Sequence, residues 1–334
     1  MRRLVLFFAL LTSLSAFGQE RLLTKKIVYK VNLTESKVRQ LPSKDSIEYN
    51  YIINKRFFWE ATDGLVSDLK SKKIYLKTFK GDTLIWDSVF NNLKQRLSVA
   101  DLRKYTAKDV ENVLENEIRS IKFMEEWTYE QETMMINKKV IAYCPVIERD
   151  SAYLDTEELK AVNSFSFDLG WIWQDNGKVS SDTLLLARNI HYNMPIYNTV
   201  PYRWWDSNLE AEYSVPFFDG LAEKTASQQI LCYESPDAVE PFSKSELDKR
   251  KKHSVRVSLI RDSADNTTAE KDTVIMLTYN SDDIDYIRFG EQLVYDKKSH
   301  YIVKSVNYFS PVIRIFTASN VFVGFYPLYY IRKQ

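Results

Sequence analysis

Glycine is scarce in this chain, with 8 residues in 334, and cysteine is limited to Cys144 and Cys232. Histidine occurs only at His191, His253 and His300. None of the three has a second His or Cys at ligand spacing, so no zinc site is expected. Gly-rich phosphate loops, Gly-x-Ser-x-Gly elbows and Cys-x-x-Cys pairs are lacking, which removes the usual signatures of nucleotide, acyl-transfer and thiol-redox chemistry. An excess of either charge is lacking too, with 46 basic against 45 acidic residues. That balance excludes a nucleic-acid face or a polybasic lipid clamp. The short run Lys249–His253 reads as a solvated loop. Asp282, Asp283 and Asp285 lack the loop glycine and terminal Glu of a calcium hand.

What the chain has is one apolar run, at its start. Arg2 and Arg3 precede Leu4–Leu11, and small residues stand at Ala16 and Gly18. This is the form of a secretory signal peptide cut after Gly18, too short to span a bilayer. Its removal takes Arg2 and Arg3 and leaves 44 basic against 45 acidic residues. No Cys stands at the cleavage region to take a lipid. The two cysteines lie in apolar runs, where a disulfide and two buried thiols are equally open.

Aromatic content is high, with 7 Trp, 21 Tyr and 18 Phe. That favours strands, and surfaces that bind other proteins. The second half echoes the first in four ordered blocks. Leu22–Tyr29 resembles Leu185–Tyr192, and Asp63-Gly64-Leu65 with Ile74 resembles Asp219-Gly220-Leu221 with Ile230. Ile121–Glu130, continuing to Val140 and Pro145, resembles Ile287–Asp296, continuing to Val306 and Pro311. Phe167–Trp173 resembles Phe322–Tyr326. Recurrence in order points to two related units: residues 19–175 and 176–334, after a signal peptide at 1–18, divided in the turn-rich Gln174–Lys178.

Within each unit the pattern predicts an α+β fold, a small antiparallel sheet with one or two short helices. Val110, Val113 and Leu114 share a helix face, and Thr106 with Asp109 reads as its N-terminal cap. A second helix is expected over Asp63–Ser71. Ile121–Trp127 and Lys139–Tyr143 flank a polar stretch, as in a hairpin. Glu125 and Glu126 fall on opposite strand faces and cannot act together on one bond.

The stretch Glu125-Glu126-Trp127-Thr128-Tyr129, followed by Lys139–Val146, resembles the most typical segment of the gliding-motility and type IX secretion ring proteins called GldN or PorN. Leu22–Leu41, Asp63–Lys77 and Val321–Pro327 resemble that family's opening, its helix and strand, and its Pro-containing aromatic strand. The resemblance implies a non-catalytic periplasmic scaffold without cofactor, peripherally associated with the outer membrane. It would assemble as a large oligomer with a GldK/PorK-like outer-membrane lipoprotein and be driven by GldL/GldM-like inner-membrane motor proteins. Glu125 with Glu291, and Tyr129 with Tyr295, hold equivalent places in the repeat. Together with Trp127, Trp171, Trp173, Trp204 and Trp205 they are expected to form the contact surface. Two other functions are weighed: a periplasmic module holding a small apolar ligand between the units, and an enzyme using Glu125 and Glu291 in one cleft. Asp-Ser/Thr-aliphatic triplets, as at Asp82 and Asp182, resemble an O-glycosylation sequon but read first as turns entering strands.

Overall fold

The computed structural model describes residues 20–32, 55–149, 165–174, 179–196, 209, 211–261, 269–279, 281–316 and 322–333. The expected signal peptide at 1–18, most of the expected dividing turn, and Trp204 and Trp205 lie outside them. The fold is α+β with antiparallel sheets, as the strand and helix patterns predict.

The first half begins with strand β1 (Glu20–Asn32) and helix α1 (Lys55–Lys70). A small ladder, β2 (Leu76–Lys77) with β3 (Thr83–Leu84), leads to α2 (Trp86–Ala100) and α3 (Ala107–Asn116). The long hairpin β4 (Ile118–Glu130) and β5 (Ile136–Arg149) follows, then β6 (Phe165–Asp168) and β7 (Ile172–Trp173). The second half runs β8 (Thr183–Pro195), α4 (Ala211–Ala226), α5 (Lys244–Arg250), the ribbon β9 (Lys252–Arg261) with β10 (Ala269–Thr278), the hairpin β11 (Tyr286–Asp296) and β12 (Ile302–Phe316), then β13 (Phe322–Pro327) and β14 (Ile331–Arg332).

Local chemistry accounts for these boundaries. Thr106 and Asp109 close a reciprocal cap on α3, with Asp109 N donating to Thr106 Oγ1 at 3.2 Å and Thr106 N donating to Asp109 Oδ2 at 2.7 Å. Val110, Val113 and Leu114 are the face that α3 buries. Helix α1 starts at Lys55, upstream of the Asp63 at which the sequence pattern places it.

The two large sheets have the same strand order. In one, β1-β4-β5-β6 with β7 also on β5; in the other, β8-β11-β12-β13 with β14 also on β12. The registers agree as well. Ile27 and Val140 flank Glu125, and Ile190 and Val306 flank Glu291. Both hairpins shift register at the same place, between Met124 and Glu125 and between Gly290 and Glu291. The extra residue lies on the partner strand, Ile141 in β5 and Asn307 in β12, a bulge that changes which side chains face inward. Left-handed backbone recurs at matching sites too: Lys72 and Gln228 after the helices, Met134 and His300 in the hairpin turns.

One of the four blocks is corrected by the register. Ile172 pairs with Tyr143, and its counterpart Ile331 pairs with Phe309. Leu169 N donates to Pro145 O at 3.1 Å, and Leu328 N to Pro311 O at 2.9 Å. Phe167–Trp173 therefore matches Tyr326–Arg332, not Phe322–Tyr326. The chain between Phe322 and Tyr326 is aromatic enough to mimic the match, and only the hydrogen-bonded partners separate the two alignments. The ribbon β9–β10 pairs only with itself among the described residues and interrupts the second half where the first has no strands.

The halves do not keep separate cores. One apolar cluster runs through both, from Leu23 and Phe123 to Phe289 and Phe309.

Candidate functional site

Alternation on β4 places Phe123, Glu125, Trp127 and Tyr129 on one face, and alternation on β11 does the same for Phe289, Glu291, Leu293 and Tyr295. All are buried, and these two faces meet. The bulges at Ile141 and Asn307 bring Lys138 and Lys304 onto the same inner faces. The result is a buried ion network whose contacts cross between halves.

Lys138 of the first half lies 2.5 Å from Glu291 Oε1 of the second. Lys304 of the second lies 2.9 Å from Glu125 Oε1 of the first, and 3.5 Å from Glu291 Oε2. All four side chains are 0% exposed. Tyr29 on β1 donates to Glu125 Oε2 at 2.6 Å, and Tyr192 on β8 donates to Glu291 Oε2 at 2.8 Å. The lysines close the cross: Lys138 donates to Tyr192 at 2.8 Å and Lys304 to Tyr29 at 2.8 Å. The two phenol oxygens stand 2.9 Å apart, each with its proton directed to a carboxylate and its oxygen accepting from an ammonium. The aromatic floor is exchanged in the same way. Lys138 sits 3.0 Å from the centroid of Phe289, and Lys304 sits 3.5 Å from that of Phe123. Such cation–ring contacts strengthen where water is excluded.

The symmetry is broken at two places, the first being the reach of Lys304 to both glutamates. Trp127 Nε1 donates to Glu125 Oε2 at 2.7 Å, whereas its counterpart Leu293 offers no donor. Glu125 is thus held by one lysine and an indole, and Glu291 by two lysines. Burial raises the Glu291 carboxyl, but Lys138 and Lys304 outweigh it and hold the group below its ordinary value. Burial brings the Lys138 ammonium down to about 8, against the pull of Glu291 and Glu125. The Tyr29 and Tyr192 hydroxyls are pushed well above their ordinary value, by burial first and then by the carboxylates.

The hairpin turns also cross over. His300, at the tip of β11–β12, packs on α1: its Nε2 is 2.9 Å from Asp68 Oδ2, and its Nδ1 is 2.5 Å from the Tyr295 hydroxyl. The counterpart Met134 stands over α4, within 3.5 Å of where a Cβ on Gly220 would lie. One strap is polar, the other apolar.

The expected contact surface is therefore corrected. Glu125, Trp127, Tyr129, Glu291 and Tyr295 are brought together, but they bind the two halves to each other and face no outside protein. The same alternation that marks them as one face also serves an inner face, and only the packing decides between the two. Trp171 is buried against Met124, Ala142 and Cys144 on the outer side of the first sheet, and Trp173 lies half-buried against that cluster. Glu125 and Glu291 do converge, as the enzyme reading requires, but on two lysines and without solvent exposure. Lys138, Lys304, Tyr29 and Tyr192 were missed by sequence reasoning. Their signal was there: Glu125 and Lys138 recur as Glu291 and Lys304 at the same separation. Cys144 and Cys232 are free and buried.

Among the described residues no cluster of His, Cys, Asp and Glu suited to a metal occurs, and no helix is long and apolar enough to cross a membrane. A scan against protein-family models and a search of curated proteins both returned no match.

Proposed function

We propose that this chain is a non-catalytic scaffold of a periplasmic ring in the type IX secretion and gliding-motility machinery, built from two diverged copies of one α+β unit. In this reading an outer-membrane lipoprotein of the GldK/PorK kind holds it at the membrane. Many copies assemble, and GldL/GldM-like motor proteins act on the ring. The supporting sequence features are the signal-peptide form of residues 1–18 and the family-like stretch from Glu125 to Val146.

The observation that carries the scaffold reading is the closed ion network. The space where a two-lobed binding protein or an enzyme would keep a cleft holds four paired charges and their rings instead. Each buried charge in it meets an opposite one across the two halves, which ties them stiffly together, and rigidity suits a structural component. The space left between the halves lies at one end of the seam, beside Met135 and Ile331, away from these charges. Partner contacts would then use other parts of the chain. Among the described residues the ribbon β9–β10 has no further strand on either edge, and edges of this kind accept strands from other chains.

The test is affinity purification of the tagged chain from native membranes with cross-linking. The expected result is a ring-sized particle containing an outer-membrane lipoprotein. Recovery of the chain alone, as a monomer, would overturn the proposal.

A further inference from the structure

The two halves supply a comparison within one molecule, because a site filled in one can be inspected in the other. Strands β5 and β12 run alongside each other where the sheets meet. Their facing edges carry no ladder at Ile136–Val140 or Ile302–Val306. Asp296 N donates to Tyr301 O at 2.9 Å, which closes the pairing with β11 one residue before Ile302. In an antiparallel pair the next residue turns its N–H and C=O away from the partner strand. The Gln174 side chain takes both: Ile302 N donates to Gln174 Oε1 at 2.7 Å, and Gln174 Nε2 donates to Ile302 O at 3.1 Å. The same Nε2 reaches Val140 O on β5 at 3.3 Å. One carboxamide thus stitches the two sheets at this end.

The other end repeats the backbone but not the stitch. Glu130 N donates to Met135 O at 3.0 Å, so Ile136 turns its own N–H and C=O outward as Ile302 does. Val306 stands where Val140 stands. Gln174 N donates to Ile141 O at 2.8 Å, and Lys333 N donates to Asn307 O at 2.9 Å, so Lys333 holds the place of Gln174. Lysine has donors but no acceptor. It cannot return the contact that Gln174 Oε1 makes, and Lys333 is exposed. A cavity of about 290 Å³ lies here, lined in part by Met135, Asn137, Val306, Ile331 and Lys333. That is far more than the ~10–15 Å³ a single water needs.

We propose that this cavity is an acceptor site for an extended peptide segment of a partner protein that presents a glutamine side chain, received between Ile136 and Val306 as Gln174 is received between Ile302 and Val140. The carboxamide supplies one acceptor and two donors in one plane, which is the set that the occupied end uses. The chain's own Ile331 and Arg332 hold the places of Ile172 and Trp173, so the segment lies outside them and only its glutamine side chain enters between the strands. This site is independent of the ring assignment, since it rests on the comparison of the two ends alone.

The probe is the peptide acetyl-Ile-Trp-Gln-amide, added to the full-length protein and followed by amide chemical shifts. Saturable shifts are expected at Ile136, Asn137 and Val306. The Lys333→Gln variant should supply the carboxamide from within the chain, bind the peptide at least tenfold more weakly, and unfold at the same or a higher temperature. Acetyl-Ile-Trp-Ala-amide should likewise bind at least tenfold more weakly to the unsubstituted protein. Shifts scattered away from the cavity, no shifts at all, equal binding of the Ala peptide, or unchanged binding by a folded Lys333→Gln protein would each overturn the proposal.

Discussion

Replacing Lys304 with Met tests whether the crossed charges carry the join between the halves. Lys304 is the one lysine among the described residues that pairs with Glu125, at 2.9 Å, and it also reaches Glu291 and the Tyr29 hydroxyl. Its side chain and that of Glu125 are fully buried. The substitution keeps the shape and leaves a carboxylate in a dry core with two neutral donors, Tyr29 and Trp127. Removing one partner of a buried pair costs about 3–5 kcal/mol, because the stranded charge keeps its desolvation penalty. The two remaining donors place Lys304→Met in the lower part of that range, about 3 kcal/mol. Lys138→Met should cost less, since Glu291 keeps Lys304 at 3.5 Å. Adding Glu125→Gln to Lys304→Met removes the stranded charge and should recover about 1–3 kcal/mol as a coupling term. Urea denaturation followed by tryptophan fluorescence measures each value, with Lys73→Met as a surface control. Lys73 pairs with Asp68 but is 68% exposed, and such pairs contribute about 0–1 kcal/mol. A Lys304→Met cost no larger than the Lys73→Met cost, or no recovery with Glu125→Gln, would refute the reasoning.

Three further outcomes follow from the same geometry. Burial lowers Lys138 to about 8 in the folded state, so between pH 8 and the unfolded lysine range the unfolded chain binds more protons. Relative to Lys138→Met, in which the buried thiols and phenols titrate alike and pull stability the other way, the stability of the unsubstituted protein should therefore rise from pH 8 towards 9.5, with a difference slope approaching ~1.4 kcal/mol per unit; a difference that falls over that range would reverse the sign argued here. A Cβ on Gly290 would lie 2.1 Å from Tyr308 Cζ, and the Tyr308 ring is fixed by His191 and by Tyr330. Gly290→Ala should cost ~1–3 kcal/mol in thermal unfolding, and less in a Tyr308→Ser background; equal costs would show that the ring is not the obstacle. Burial pushes the Cys144 and Cys232 thiols up to about 12, so iodoacetamide at pH 8 should label them only at the rate of unfolding. Fast labelling of the native protein would contradict their placement.

The local code of this chain was legible, and its pairing was not. The Thr106 cap, the face of α3 and the hairpin around Glu130–Thr133 follow from residue types over a few positions, and each is present. Repetition was legible where strands carry the same alternation, as at Ile27 and Ile190 or at Glu125 and Glu291. It failed at the last block, where Phe322–Tyr326 and Tyr326–Arg332 offer similar aromatic strings and only the partners on β12 distinguish them. Burial of Glu125 was not legible from its own strand, because a carboxylate reads as solvent-facing until its counter-charge is found. That counter-charge lies in the other half of the chain, at Lys304. A periodicity argument confined to one segment could not reach it.

The crossing of these contacts has a consequence for how the chain unfolds. Among the described residues each half contains one buried lysine and one buried glutamate, yet each of the close ion pairs, Lys138 with Glu291 and Lys304 with Glu125, joins residues of different halves. Pulled apart, either half would expose Phe123 or Phe289; the first would leave Glu125 without Lys304, and the second would leave Glu291 only the longer contact to Lys304 at 3.5 Å. The apolar cluster is likewise one body spanning both sheets. A half therefore has no folded state of its own that keeps either close pair, and the two sheets should melt together. Calorimetry is expected to give one transition whose calorimetric and van't Hoff enthalpies agree. Residues 20–174 made alone should be largely unfolded and should gain structure when mixed with residues 179–334. Two separated transitions, or a first half that folds alone with its near-ultraviolet signal intact, would show that the crossed charges decorate an interface between independent domains and do not create it.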